Sequence, residues 1–258
     1  MTSFNRRACT LALLGASLLA SASAWAAPPV IHSDGKTMSF ALSGKYPPFN
    51  FVNDQGQLDG FDVEMGRALA QRSGLSGQPL ATAWDGIIAG LLANKYDAII
   101  GSMAITAKRQ EAVNFTQPYY RSGAQLFTRQ DSDLRGVADL KGKKVGVTLG
   151  TTYEAWVREN MPSVQVVTYK GVPEMMLEMG NRRIDGFITD KLVGLIAIKD
   201  KKAPMRMVGD LLYPELIGIA VNKNNPQLLD ALNQALAAMQ SDGSYAALSQ
   251  KWFGADVR

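Results

Sequence analysis

Short runs of consecutive apolar residues alternate along this chain with longer stretches whose apolar positions recur every three to four residues. Runs of the first kind read as strands covered on both faces, and the second kind as amphipathic helices. Residues 37–42 (TMSFAL) predict a buried strand ending at Ser43-Gly44, and YPPF then forces an extended turn, because proline cannot continue a ladder. NDQGQLDG reads as a hairpin-like loop in which Gly56 and Gly60 are free to take positive φ. A helix is expected over Asp62–Arg72, stopping before Gly74. Asp85 is placed to cap the next helix, whose stripe is Ile87, Ile88, Leu91 and Leu92. Ala98–Gly101 reads as a central strand, and Thr106 as the cap of a short helix with Arg109 in its first turn. Pro226 opens a last long helix with Leu228, Leu229, Leu232, Leu236 and Met239 on one face.

Two stretches repeat one plan. FALSGKYPPF, a helical segment and KYDAIIGSMAIT are matched by KKVGVTLGTT, a helical segment from Pro173 and RRIDGFITD, with Asp97 and Asp185 in corresponding places. Each stretch has β-α-β order, so its strands should be parallel and helix-covered, with ligands beyond their carboxyl ends. Extended patterns at 119–129 and 215–223 read as two crossings between lobes, a hinge rather than a tether. The expected division is lobe one over 27–122 and 217–258, closed by Tyr245, Leu248, Trp252 and Phe253, and lobe two over 123–216. Arg109 and Asp190 each fall just past a strand end, one per lobe. A cleft between the lobes would then carry a cation on one wall and an anion on the other, a receptacle for a zwitterion.

Composition removes several alternatives. The formal charge is +4, of which Arg6 and Arg7 contribute two, and the remaining lysines and arginines form short groups without interleaved aromatics. A nucleic-acid surface would need both a basic stripe and stacking residues. Arg6-Arg7, the apolar stretch Leu11–Leu19 and Ala24-Trp25-Ala26 have the order of a cleaved signal peptide over residues 1–26, so an exported, periplasmic protein is expected. Cys9, the one cysteine, precedes the apolar core, which leaves the mature chain without a disulfide, a thiol nucleophile or a cysteine-ligated metal. His32, the one histidine, stands in a polar stretch near the mature N-terminus. No cofactor and no metal is expected.

YPPFNF, DGFDVEMGRALA, TAWDGIIAGLLANKYDAIIGSMAITAKRQEAVNFTQPYY, LKGKKVGVTLGTT, IDGFITD and SDGSYAALSQKWFG together resemble the bacterial periplasmic amino-acid-binding proteins of solute-binding family 3, which feed ABC transporters. The resemblance covers essentially the whole mature chain. It implies an α/β, two-lobed periplasmic-binding-protein fold of type II, each lobe a mainly parallel sheet, joined by a two-strand hinge. It also implies that Arg109, in TAKR, clamps the ligand's α-carboxylate, as a guanidinium does bidentately. Asp190 takes the α-ammonium, or caps the helix that follows, or both. Gly101 and Ser102 line the head group, and Ala104 replaces a hydroxyl residue common in relatives. Thr148 belongs to the pocket by the same likeness. Thr151 and Thr152 start a helix and either contact the carboxylate or simply cap it. Tyr46 and Trp84 match aromatic positions that sandwich the ligand side chain, although Trp84 also fits a core role. Ser43 stands where relatives that take cationic side chains often carry an acid, which favours a neutral polar side chain, unless Glu154 or Glu178 reaches the pocket from elsewhere.

The resulting expectation is a monomeric, non-enzymatic protein that captures a free amino acid and delivers it to an inner-membrane ABC permease. The alternatives are a dehydratase of arogenate- or prephenate-like acids on the same fold, and a soluble partner of a chemoreceptor.

Overall fold

The structure, a computed structural model, describes residues 35–201 and 203–258. The leader with Cys9 and its cleavage site, and His32, lie outside the described residues.

The first apolar run forms β1 (Thr37–Leu42), buried from Met38 onward. After it, β2 (Lys45–Tyr46), β3 (Asn50–Val52) and β4 (Leu58–Asp59) make a small antiparallel sheet. Its loop uses Gly56 and Gly60 at φ 75° and 121°, as their freedom from a Cβ allows. α1 (Phe61–Arg72) and β5 (Ser76–Ala81) follow. Asp85 departs from expectation. It lies inside a 3₁₀ turn, Trp84–Gly86, whose last turn bonds Ile87 N–H to the Trp84 carbonyl, so that the turn runs straight into α2 (Ile87–Leu92) and no side-chain cap forms.

β6 (Ala98–Ala104) extends further than its most apolar stretch, and α3 (Ala107–Gln110) is capped as expected, with Thr106 Oγ1 accepting from Arg109 N at 3.2 Å. β7 (Val113–Phe115) and β8 (Tyr120–Arg129) lead to the second repeat: β9 (Lys144–Thr148), α4 (Thr152–Asn160), β10 (Gln165–Tyr169), α5 (Val172–Gly180) and β11 (Gly186–Asp190). α6 (Lys191–Lys201), β12 (Met205–Asn222), α7 (Pro226–Ser241) and α8 (Ser244–Phe253) complete the chain.

The strands order β10-β9-β11-β8-β12-β6-β1-β5, with β7 on β12. β1 runs parallel to β5 and β6, and β9 parallel to β10 and β11, so each repeat contributes its own parallel set of strands to one continuous sheet. β8 and β12 lie antiparallel side by side between them. β12 is longer than the run at 215–223 indicates, because residues 205–208 also pair with β8 before an irregularity between Val208 and Tyr213. Gly209, Asp210 and Pro214 break the apolar pattern there, which hides the strand in the sequence.

Burial on both faces explains the short apolar runs. In β1, Phe40 and Leu42 enter one buried cluster and Ala41 another; in β11, Phe187 and Ile188 likewise divide between two. The two repeat aspartates do the same work. Asp97 Oδ2 accepts from Ser39 N and Asp185 Oδ2 from Lys144 N, each at 2.8 Å, tying the second strand of its unit to the first. Among the described residues, no helix is long and apolar enough to cross a membrane.

Candidate functional site

The carboxyl ends of β1, β6 and β9, the start of α4 and the crossing strand β12 converge on one cavity between the two halves. Ser43, Tyr46, Trp84, Gly101, Ser102 and Ala104 line it from the first half, with Arg109 just beyond β6. Thr148, Thr151 and Thr152 line it from the second. Sequence reasoning had not singled out five further lining residues: Lys45, Tyr153, Lys170, Gly171 and Glu215.

Arg109 points its guanidinium inward. Nη1 donates to the Ala104 carbonyl at 2.8 Å, and Cζ lies 5.8 Å from the centre of the Trp84 ring. Burial lowers its pKa, and among the described residues no carboxylate comes within ion-pair distance. A desolvated, unpaired guanidinium stands ready for an incoming carboxylate.

Asp190 is not among the lining residues. It is fully buried at the end of β11, where Oδ1 accepts from Ser122 Oγ and from Leu192 N, both at 2.7 Å, and so caps α6. Oδ2 has no partner. Burial pushes its carboxyl up to about 7, the Ser122 and Leu192 bonds act the other way, and the Glu215 charge adds to the rise. Its charge is felt by Tyr46 and Tyr153, both on the cavity wall.

The acid that does line the cavity is Glu215, on β12. Glu154 instead binds Gly150 N and Arg158, and Glu178 binds Arg183; neither reaches the cavity wall. The acid that Ser43 does not supply, and that neither Glu154 nor Glu178 brings, stands on the cavity wall as Glu215. A lone acid in the strand run ELIGIAVNK was the available signal, because a charge buried in a strand is costly unless it has a use.

A buried network holds the first-half wall in place. Asp62, at the start of α1, accepts from Ser102 Oγ at 2.8 Å, Tyr119 Oη at 2.7 Å and Asn50 Nδ2 at 2.7 Å. Asn50 Oδ1 in turn accepts from Ser43 Oγ and Gly44 N. Burial pushes the Asp62 carboxyl up to about 6 against these three bonds. Ser102 adopts φ 59°, a conformation that a serine holds only when its surroundings impose it. Asp62→Ala is expected to cost about 2–4 kcal/mol, since three donors lose their acceptor in a buried place. Urea denaturation of parent and variant measures it.

The halves touch across the cavity. Lys45 Nζ meets Glu174 at 2.6 Å, and the Tyr46 and Tyr153 hydroxyls approach to 3.4 Å. The cavity between these contacts is narrow, about 30 Å³. A second chamber of about 320 Å³ adjoins it, sharing Ser43, Lys45, Trp84 and Lys170. The two halves are drawn together in this structure. Among the described residues, no group of three His, Cys, Asp or Glu side chains is placed to hold a metal.

Residues 38–255 match the family model for bacterial extracellular solute-binding proteins, family 3. The chain belongs to that family. Over 223 residues it is 40% identical to the L-cystine-binding protein TcyJ of Escherichia coli K12, covering 86% of this chain and 84% of that protein. It is 33% identical over 257 residues to the L-arginine-binding protein of Pseudomonas aeruginosa PAO1, covering 96% and 97%. Among solved structures, an ancestral arginine-binding protein bound to arginine superposes with a TM-score of 0.80 at 35% identity, covering 84% of this chain and 98% of that one. The two-lobed α/β architecture expected of the sequence is thus the family's own.

Proposed function

We propose that this chain is a periplasmic solute-binding protein that closes on a free polar amino acid and presents it to an ABC permease, acting as a monomer and not as an enzyme. The observation that carries the reading is the charge pattern at the cavity, where Arg109 is on the wall and Asp190 lies buried beside the wall residues Tyr46 and Tyr153. An unpaired Arg109 guanidinium in the first half and an Asp190 carboxylate with a free oxygen in the second suit the two ends of a zwitterion. Lobe one then comprises residues 27–122 and 217–258, lobe two 123–216, with the leader removed after residue 26. The names of the relatives, binders of L-cystine and of arginine, support an amino acid and put L-cystine first in any screen.

The test is a thermal-shift screen of L-cystine and the twenty common amino acids on protein refolded to remove carried-over ligand. One or a few should raise the melting temperature by several degrees, as linkage requires. No shift with any of them would refute the reading.

Affinity should also depend on pH. A bound ammonium favours the ionised form of Asp190, whose carboxyl titrates near 7 without ligand. Binding is therefore full above pH 7 and weakens as pH falls, roughly 30-fold between pH 8 and pH 5.5. Titration calorimetry at the two pH values checks this. In the unliganded protein the same raised pKa acts oppositely on folding: its stabilisation is complete below the ordinary aspartate value and is lost as pH rises through about 7.

One observation favours a second reading, dehydration of a prephenate-like cyclic acid. Glu215 is a buried carboxyl whose pKa burial raises, as a general acid requires. Turnover of prephenate followed by ultraviolet absorbance decides it, and none is expected.

A further inference from the structure

Glu215 creates a charge imbalance that the head-group pair leaves unresolved. It is 8% exposed, it lines the cavity, and its Oε1 has no hydrogen-bond partner among the described residues. Two residues earlier on the same face of β12, the buried Tyr213 hydroxyl likewise has no partner among them. Burial raises the Glu215 pKa, while the Thr152 and Tyr153 hydroxyls and the Arg109 charge act to lower it. Asp190 lies close enough for the two carboxylates to repel.

The cations nearby are committed or wet. Arg109 is the natural partner of the ligand α-carboxylate, Lys45 is paired with Glu174, and Lys170 is exposed at the rim. When a zwitterion binds, its carboxylate balances Arg109 and its ammonium balances Asp190. Glu215 then remains as an uncompensated buried carboxylate, which is expensive.

We propose that Glu215 receives a second cationic nitrogen of the ligand, so that the preferred ligands are amino acids bearing an amino or guanidino group in addition to the α-ammonium. This rests on the amino-acid-binding reading above and narrows its ligand class.

The experiment compares matched ligands by titration calorimetry. The pairs are L-arginine with L-citrulline, L-lysine with L-norleucine, and L-cystine with the mixed disulfide of L-cysteine and 3-mercaptopropionate, which lacks one amino group. The parent protein should bind the cationic member of at least one pair about 30-fold or more tightly than its neutral counterpart. Glu215→Gln should erase that preference by bringing the cationic member's affinity down to that of its neutral counterpart.

The proposal is overturned if the parent binds both members of every pair equally, a result that needs no variant. It is overturned equally if Glu215→Gln weakens both members alike, which would make Glu215 the partner of the α-ammonium. If neither these ligands nor any common amino acid binds the parent, the underlying reading falls, and this proposal with it. Binding of neutral amino acids alone sinks only the proposal.

Discussion

Arg109→Ala should abolish the ligand-induced rise in melting temperature while the unliganded protein melts within about 4 °C of the parent. In the free protein this side chain makes one bond, to the Ala104 carbonyl, and one ring contact, with Trp84. Their loss costs about 1 kcal/mol, which moves the midpoint of a chain this size by only a few degrees at most. In the liganded protein the same change strands a carboxylate in a cavity from which water is largely excluded. Truncating one partner of such a pair costs about 2–5 kcal/mol, or roughly 30- to 5,000-fold in affinity. Lysine should not restore it, because an ammonium cannot bind both carboxylate oxygens in the plane of a fork. Differential scanning fluorimetry with and without saturating ligand, backed by calorimetry, gives both numbers.

Gly171→Ala should lower affinity without touching any residue that meets the ligand's charged ends. Gly171 precedes α5 in the second half and packs on Lys45 in the first; a Cβ there would sit 2.5 Å from the Lys45 Cβ and 2.7 Å from its carbonyl oxygen. Its own φ of 179° is extended backbone that alanine adopts freely, so the substitution strains nothing within its half. The collision exists only when the halves are together. Overpacking of this kind costs about 1–3 kcal/mol, which falls on the closed state alone and weakens binding by roughly 5- to 150-fold. Small-angle scattering should show the parent contracting on saturation and the variant contracting less. Equal affinity and equal contraction would mean that the closed arrangement is not the one that holds ligand.

Much of this was legible in the chain. TMSFAL and GFIT are mostly apolar, with Ser39 and Thr189 as buried hydroxyl exceptions, because their strands are covered on both faces, and that signal survives without any knowledge of the partner elements. The duplicated aspartates could be read as a repeat, and each does fasten neighbouring strands of its unit. Ten of the eleven site residues named from the sequence line one cavity; Asp190 lies buried nearby with one carboxylate oxygen free. What escaped notice depends on contacts between distant segments. Asp85 carries every sign of a cap, yet a turn that continues into the helix leaves it nothing to cap. Tyr153 and Gly171 matter because the two halves meet there, and Lys45 because Glu174, far along the chain, comes to face it. Glu215 was hidden by its setting, since a crossing strand is read for its extended pattern and its lone acid passes as a surface residue.

The central claim is that both ends of one zwitterion are gripped at once, from opposite halves. Calorimetry of the best ligand against its α-carboxamide and its α-deaminated acid tests it most directly. The account predicts that each analogue binds at least about 30-fold more weakly than the parent amino acid, because each leaves Arg109 or Asp190 without its counter-charge. Analogues that bind as tightly as the amino acid would contradict it.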